Sequence, residues 1–181
     1  AVEMKISAIL PVHSEEESVV SVVDSLQNLL REKLEEIILI ISPSSPNKTV
    51  EICKNLSKAY GNVHCHIQKE NPGLGRAIKE GFKYAKGSHV LMMDSDGEMD
   101  PSTAPEMIRK MEENPCDMVV GSRWIKGGGV VGYSPLKYFL NRAYQVIFRL
   151  LFFTKTKDLT LGFKLLRKEI VDRLHWESNF H

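Results

Sequence analysis

The sequence predicts an α/β domain: a mostly parallel sheet with helices on both faces. Three observations carry this. Compact apolar runs rich in Val, Ile and Leu recur along the chain. Each is followed by a stretch with helical spacing of apolar residues. Clusters of Gly, Pro, Ser and Asn separate them. Strands covered on both faces read as continuous apolar runs, which is the pattern of a parallel sheet between helical layers.

Residues 4–10 form the first expected strand. Ser14, with Glu17 three positions on, reads as a capping box that opens a helix to about residue 31. Residues 36–41 are a second buried strand and residues 42–48 a loop. A helix to residue 60 and a strand at 62–67 follow. The turn Asn71-Pro72-Gly73-Leu74-Gly75 leads into a helix over residues 76–86, with Gly87 as its C-cap. Residues 89–93 are a fourth strand that runs directly into Asp94. Ser102 caps a helix to residue 113, and residues 117–120 form a short strand. Gly127, Gly128, Gly129 and Gly132 predict a mobile loop over residues 126–133. Residues 137–153 are helical and greasy, with a polar stripe at Lys137, Asn141, Gln145 and Arg149 and with Arg142 beside it.

A length of 181 residues suits one domain spanning 1–181. Hydrophobic residues at 43% and charged residues at 26% fit a globular protein rather than a disordered one. A net charge of +1 gives no field that would draw the chain onto nucleic acid. Cys53, Cys65 and Cys116 are odd in number and far apart, which suits a reducing compartment and gives no disulfide framework. His64-Cys65-His66 invites a metal reading, but neighbours on a strand face opposite ways and no second ligand pair follows. No signal peptide is expected, and no stretch reaches the roughly 20 apolar residues that span a bilayer.

The chemistry concentrates at Asp94-Ser95-Asp96-Gly97-Glu98, beyond the carboxyl end of an apolar strand. Ligands of open α/β sheets bind there. Residues two apart on an extended chain project to one side, so Asp94, Asp96 and Glu98 are expected to converge on one point. Oxygen ligands of this kind suit Mg2+ or Mn2+, which keep places open for substrate phosphates. Such an ion would neutralise charge on a diphosphate leaving group. An acidic turn in water is the bland alternative.

Five segments stand out in chain order: Ile9-Leu10-Pro11-Val12-His13-Ser14-Glu15, Asn71-Pro72-Gly73-Leu74-Gly75-Arg76-Ala77, Asp94-Ser95-Asp96, Val120-Gly121-Ser122-Arg123-Trp124 and Asp158-Leu159-Thr160-Leu161-Gly162-Phe163-Lys164. Together they resemble the family-two inverting glycosyltransferases of the Rossmann-like GT-A fold, and within them the dolichyl-phosphate mannose synthase-like branch. The first resembles that family's opening segment, which holds the nucleotide. The second is similar to its Asn-x-Gly-x-Gly turn, and the third stands where its metal motif belongs. The fourth resembles its Gly-Ser-Arg segment and the fifth its Asp-x-Thr-Ser-Gly-Phe-Arg segment. The resemblance implies nucleotide-sugar contacts from Pro11, His13, Glu15, Ser42, Arg76, Asp94 and Ser95. It implies metal ligands at Asp94, Asp96 and Glu98, with Asp96 and Arg123 in the catalytic machinery. Ser42 and Pro43 replace the two aspartates usual after the second strand, and relatives continue beyond residue 181.

No Glu-Asp pair follows the Gly-Ser-Arg segment to act as a base toward a hydroxyl. A phosphate acceptor removes that need, because its second ionisation lies near pH 6, roughly. Arg123, Arg142 and Lys164 are the cations expected to hold it, unless they serve surface salt bridges. The greasy helix, together with the resemblance, implies an interfacial amphipathic helix near the C-terminus. An ordinary core helix or an oligomer contact is the bland alternative, and a membrane-protein partner is a further expected cover.

The expected function is therefore metal-dependent, inverting transfer of a sugar from a nucleotide diphosphate sugar to a polyprenyl phosphate, at the cytoplasmic face of a membrane. The loop at 127–132 would close over the site, and Asp158 would order the acceptor loop. Three other readings stand beside it: a non-catalytic binding subunit, a transferase to a soluble acceptor, and a nucleotidyltransferase. The last is disfavoured because Pro11 to Glu17 contains no glycine.

Overall fold

A computed structural model describes residues 3–69, 73–122, 134–151, 158 and 161–173. Its strands are β1 (Ile6–Val12), β2 (Leu34–Ile41), β3 (Val63–Ile67), β4 (His89–Met92), β5 (Met118–Val120) and β6 (Lys164–Arg167). The helices are α1 (Glu17–Leu30), α2 (Asn47–Ala59), α3 (Leu74–Tyr84), α4 (Ala104–Glu113), α5 (Pro135–Leu151) and α6 (Lys168–Arg173).

One six-stranded sheet has the order β3-β2-β1-β4-β6-β5. β1 pairs in parallel with β2 and β4, and β2 with β3. β6 runs antiparallel to both β4 and β5. The alternation of side chains divides the core. Ala8, Leu10, Leu39 and Leu91 pack toward α1, α2 and α4. Ile9, Ile38, Ile40 and Val90 pack toward α3 and α6. The sheet with helices on both faces is the architecture expected from the apolar runs.

Several local expectations are corrected. The Ser14 capping box does not form: α1 begins at Glu17, and its N-cap Glu16 makes no side-chain cap. Glu15 instead turns back and accepts from the backbone N–H groups of His13 (2.6 Å) and Ser14 (3.0 Å). That tight turn occupies the residues the box needs. Gly87 is not a C-cap, because α3 ends at Tyr84. A Cβ on Gly87 would stand 2.7 Å from both Lys5 O and Ser7 N, so glycine is needed for close approach to β1. Asp100, rather than Ser102, caps the turn before α4 by accepting from Ser102 N. β6 and α6 were not anticipated, since Lys164-Leu165-Leu166-Arg167 is too short and too flanked by charge to announce a strand.

Within the polar stripe of α5, Gln145 faces inward while Arg149 is exposed. Gln145 is 1% exposed, whereas Phe139 is 68% and Leu150 70% exposed. Among the described residues no helix is long and apolar enough to cross a membrane. The glycine-rich segment at 126–133 lies outside the described residues.

Candidate active site

A cleft of about 510 Å³ opens at the carboxyl ends of β1, β2 and β4. β1 ends opposite Ile41 of β2, and β4 ends opposite Ile9, so the segment from Asp94 comes up beside the end of β1 and residues distant in sequence meet on one rim. β1 delivers Pro11, His13 and Glu15, β2 delivers Ser42, and the segment after β4 delivers Asp94, Ser95 and Asp96. All seven were expected from sequence. The N-terminus of α3 closes one side with Gly73, Leu74 and Ala77. Gly73 has φ +140°, a backbone geometry that favours glycine, and its carbonyl accepts from Ala77 N at 3.0 Å. A helix start with no acidic residue in its first turn presents N–H groups to an anion.

Ser95 is buried and its Oγ donates to the Pro11 carbonyl at 2.6 Å. This bond ties the acidic segment to the end of β1. Asp94 is half-buried, and its carboxyl holds its proton more tightly than usual. Burial is the main cause, and the charges of Asp96, Glu98 and Glu15 add to it. The segment thus concentrates negative charge at the mouth of the cleft.

Glu98 departs from expectation. Gly97 adopts φ +81° and Glu98 N donates to Asp96 Oδ1 at 2.9 Å. The chain therefore bends after Asp96, and the every-second-residue rule for extended backbone stops applying there. Glu98 is exposed and does not line the cleft. Among the described residues no three His, Cys, Asp or Glu side chains are gathered as a metal cluster. Asp94 and Asp96 remain the aspartate pair that faces the cleft.

Arg76 lies half-buried in the first turn of α3 and outside the cleft lining. Lys164 starts β6 opposite Met92, and Arg142 is exposed on α5. Neither lines the cleft. Arg123 lies outside the described residues. The expected acceptor cations are therefore not brought together with the donor site among the residues described.

Sequence reasoning missed Ser44 and Gln68, which also line the cleft. Ser44 Oγ lies 2.9 Å from Ser42 Oγ, and Gln68 Nε2 donates to Gly73 O at 3.3 Å. Their positions, just past β2 and β3, were the only available signal. It also missed the placement of Gly162, where an added Cβ would stand 3.2 Å from Asp94 Oδ2.

Residues 7–174 match the sequence profile of Glycosyl transferase family 2. The chain belongs to this family. The family-2 chain is 31% identical over 171 residues to a dolichol-phosphate mannosyltransferase of Pyrococcus furiosus, covering 93% of this chain and 48% of that protein. It is 25% identical over 178 residues to the dolichyl-phosphate beta-glucosyltransferase ALG5C of Trichomonas vaginalis, covering 92% of this chain and 53% of that one. The chain thus spans about half the length of these relatives. Glucosyl-3-phosphoglycerate synthase from Mycobacterium tuberculosis, solved with Mn2+, UDP-glucose and glycerol 3-phosphate, matches with a TM-score of 0.69 at 20% identity. That match covers 94% of this chain and 59% of the solved one. It shows the fold, and the GT-A architecture expected of a family-2 glycosyltransferase is the one observed.

Proposed function

We propose that this family-2 domain transfers a sugar, with inversion, from a nucleotide diphosphate sugar to a polyprenyl phosphate. The observation that carries the reading is the cleft uniting Pro11, His13, Glu15 and Ser42 with Asp94 and Asp96. The names of the curated relatives support the lipid phosphate as acceptor.

The nucleoside would lie along the β1 and β2 ends, with Ser42, Ser44 and Gln68 offering neutral hydrogen-bonding groups. The diphosphate would lie toward Asp94 and Asp96. These carboxylates fit a divalent ion, because a half-buried Asp94 crowded by negative neighbours is relieved by a cation. Asp94 and Asp96 would hold Mg2+ or Mn2+, which supplies positive charge against the leaving diphosphate. Substrate oxygens would complete the coordination, since Glu98 stands away from the cleft and the Glu15 carboxylate is engaged by the N–H groups of His13 and Ser14. Ser95 keeps the two aspartates in register with β1. Arg123 would steady the phosphates. An acceptor phosphate, already ionised at neutral pH, needs no base from the protein.

The exposed apolar face of α5 supports a membrane-surface position, which we place on the cytoplasmic side. The solved neighbour is in complex with glycerol 3-phosphate as well as UDP-glucose, which favours a second reading, a small soluble acceptor bearing phosphate. A screen of radiolabelled nucleotide sugars with Mn2+ against a polyprenyl phosphate and against glycerol 3-phosphate decides. Label in the organic phase supports the lipid reading. Label only in the aqueous product, without flotation on liposomes, overturns it.

A further inference from the structure

The histidines of β3 meet a buried carboxylate away from the donor cleft. His64 pairs with Ile38 and His66 with Ile40, so both histidines share the α3 side of the sheet. Cys65 turns the other way, and its Sγ donates to the Cys53 carbonyl at 3.0 Å. With Glu36, Ile38, Tyr84 and Lys86, the two histidines line a second cavity of about 370 Å³. The His66 and Tyr84 rings stack there with centroids 3.8 Å apart and planes 5° from parallel, which gives the cavity a flat wall. No lining residue is shared with the donor cleft.

The side chain of Glu36 is 3% exposed. Its Oε1 accepts from Ser7 Oγ at 2.8 Å and from Lys86 N at 2.7 Å. Those bonds tie β1 and β2 to the chain after α3, and they use one oxygen only. Among the described residues no hydrogen bond reaches Oε2. The nitrogens that stand near it are His64 Nε2 at 3.7 Å and Lys86 Nζ at 3.9 Å. A buried carboxylate oxygen without a donor is costly, and the tie to Ser7 and Lys86 could be made by a neutral amide. The second oxygen is therefore surplus to the fold and open to a donor from outside.

Charge and shape narrow the occupant. The Lys86 ammonium offsets the Glu36 carboxylate. Burial, and after it His64, lowers the pKa of His66, so that ring is neutral at neutral pH. The cavity thus favours neither an anion nor a cation. Among the described residues no three His, Cys, Asp or Glu side chains gather as a metal cluster, so the two histidines do not read as metal ligands. What the cavity offers is an acceptor at Oε2, a donor at Nζ, an imidazole that can do either, and a ring wall. Neighbouring hydroxyls on a saturated ring match that set, with one donating to the carboxylate and the next accepting from the ammonium. The C–H face of such a ring lies well on aromatic surface.

We propose that this cavity is a second binding site, separate from the donor cleft, for an uncharged ring polyol: a free hexose or one sugar unit of a glycan. Glu36 accepts from one hydroxyl, Lys86 donates to its neighbour, and the His66–Tyr84 pair carries the apolar face. A cavity of about 370 Å³ suits one such ring.

The test titrates the isotope-labelled full chain with mannose, with glucose and with a mannobiose, and reads amide shifts by NMR. Shifts are expected at His64, His66 and Lys86, with a dissociation constant on the order of millimolar, and none at Asp94 or Asp96. The same shifts should appear with UDP and Mn2+ present, so the outcome does not depend on what the donor cleft binds. Lys86→Met alters an exposed side chain; it should keep the melting temperature and weaken sugar binding about tenfold. Glu36→Gln keeps an acceptor for Lys86 N and should weaken binding about tenfold or more. If Glu36→Gln does not fold, Tyr84→Ala replaces it, with the same direction of change. Mannobiose bound more tightly than mannose makes the ligand a glycan end, and equal binding makes it a free hexose. No shift with any of the sugars overturns the proposal, whether or not methylguanidinium or Zn2+ moves the same amides. Sugar shifts that the folded variants leave at wild-type strength overturn it as well.

Discussion

Gly162 lies so close to Asp94 that a methyl group in place of its hydrogen would stand 3.2 Å from Oδ2. The contact joins residues far apart in sequence and bounds the carboxylate of Asp94, which lines the cleft. Gly162→Ala should push the Asp94 carboxylate by a few tenths of an ångström. Transfer is expected to fall about tenfold, since small misplacements at a reacting centre carry large rate penalties. Urea unfolding should shift by no more than about 1–2 kcal/mol. Wild-type turnover in Gly162→Ala would show that Asp94 tolerates displacement.

Asp96 is exposed, and its carboxylate accepts a hydrogen bond from Glu98 N. Asp96→Ala should therefore leave the melting temperature nearly unchanged, as surface substitutions do, within about 0.5 kcal/mol. Mn2+-dependent transfer should drop by about a hundredfold or more. Near-normal transfer by this variant would sink the metal assignment.

Chelation provides an independent check. Protein treated with EDTA should lose transfer and regain it on addition of Mn2+ or Mg2+. The fold should persist throughout by circular dichroism, because the sheet core lies beneath the acidic segment rather than around the ion. Full activity in EDTA would require a cation-free mechanism.

Gly87→Ala should destabilise without touching the cleft. The added Cβ would meet backbone atoms of Lys5 and Ser7, which cannot rotate away as a side chain tip can. The Gly87 N–H bond to Ser7 Oγ, 2.8 Å long, would be strained as well. A loss of about 1–3 kcal/mol in urea unfolding is expected. A neutral result would mean that β1 shifts at low cost.

The cysteines should label in a fixed order. Cys53 is 0% exposed, and burial pushes its thiol up to about 12. Cys65 is pushed up to about 11, again chiefly by burial. Thiolate is the reactive form, so both should resist maleimide at neutral pH. Half-exposed Cys116 should react first, and Cys53 only on unfolding, as read by mass spectrometry.

Much of the scaffold was legible. Ile37 to Ile41 are buried without interruption, and a continuous β-branched run has few other readings. The rim residues Pro11, Ser42 and Asp94 were legible because parallel strands end together, so position after a strand predicts position on the cleft. Glu98 was misread because strand alternation was carried past Gly97, where the backbone turns. Gly87 was misread because its reason lies on β1, invisible to local pattern. Gln145 was legible only as one of a polar stripe, with no direction attached. Its bond to Asp158 and the exposure of Phe139 and Leu150 show that this helix turns apolar residues outward.

The reversed direction of β6 has a temporal consequence. Because it slots between β4 and β5, the last described strand must insert between two earlier ones before the wall facing Asp94 exists. Long-range pairings of this kind form slowly, after local helices and neighbouring parallel strands. A nascent chain lacking that strand would hold its acidic residues with one side open to bulk water. Under the proposed function, competence for transfer would follow insertion of the reversed strand, and a copy short of it would hold Asp94 without the Gly162 contact.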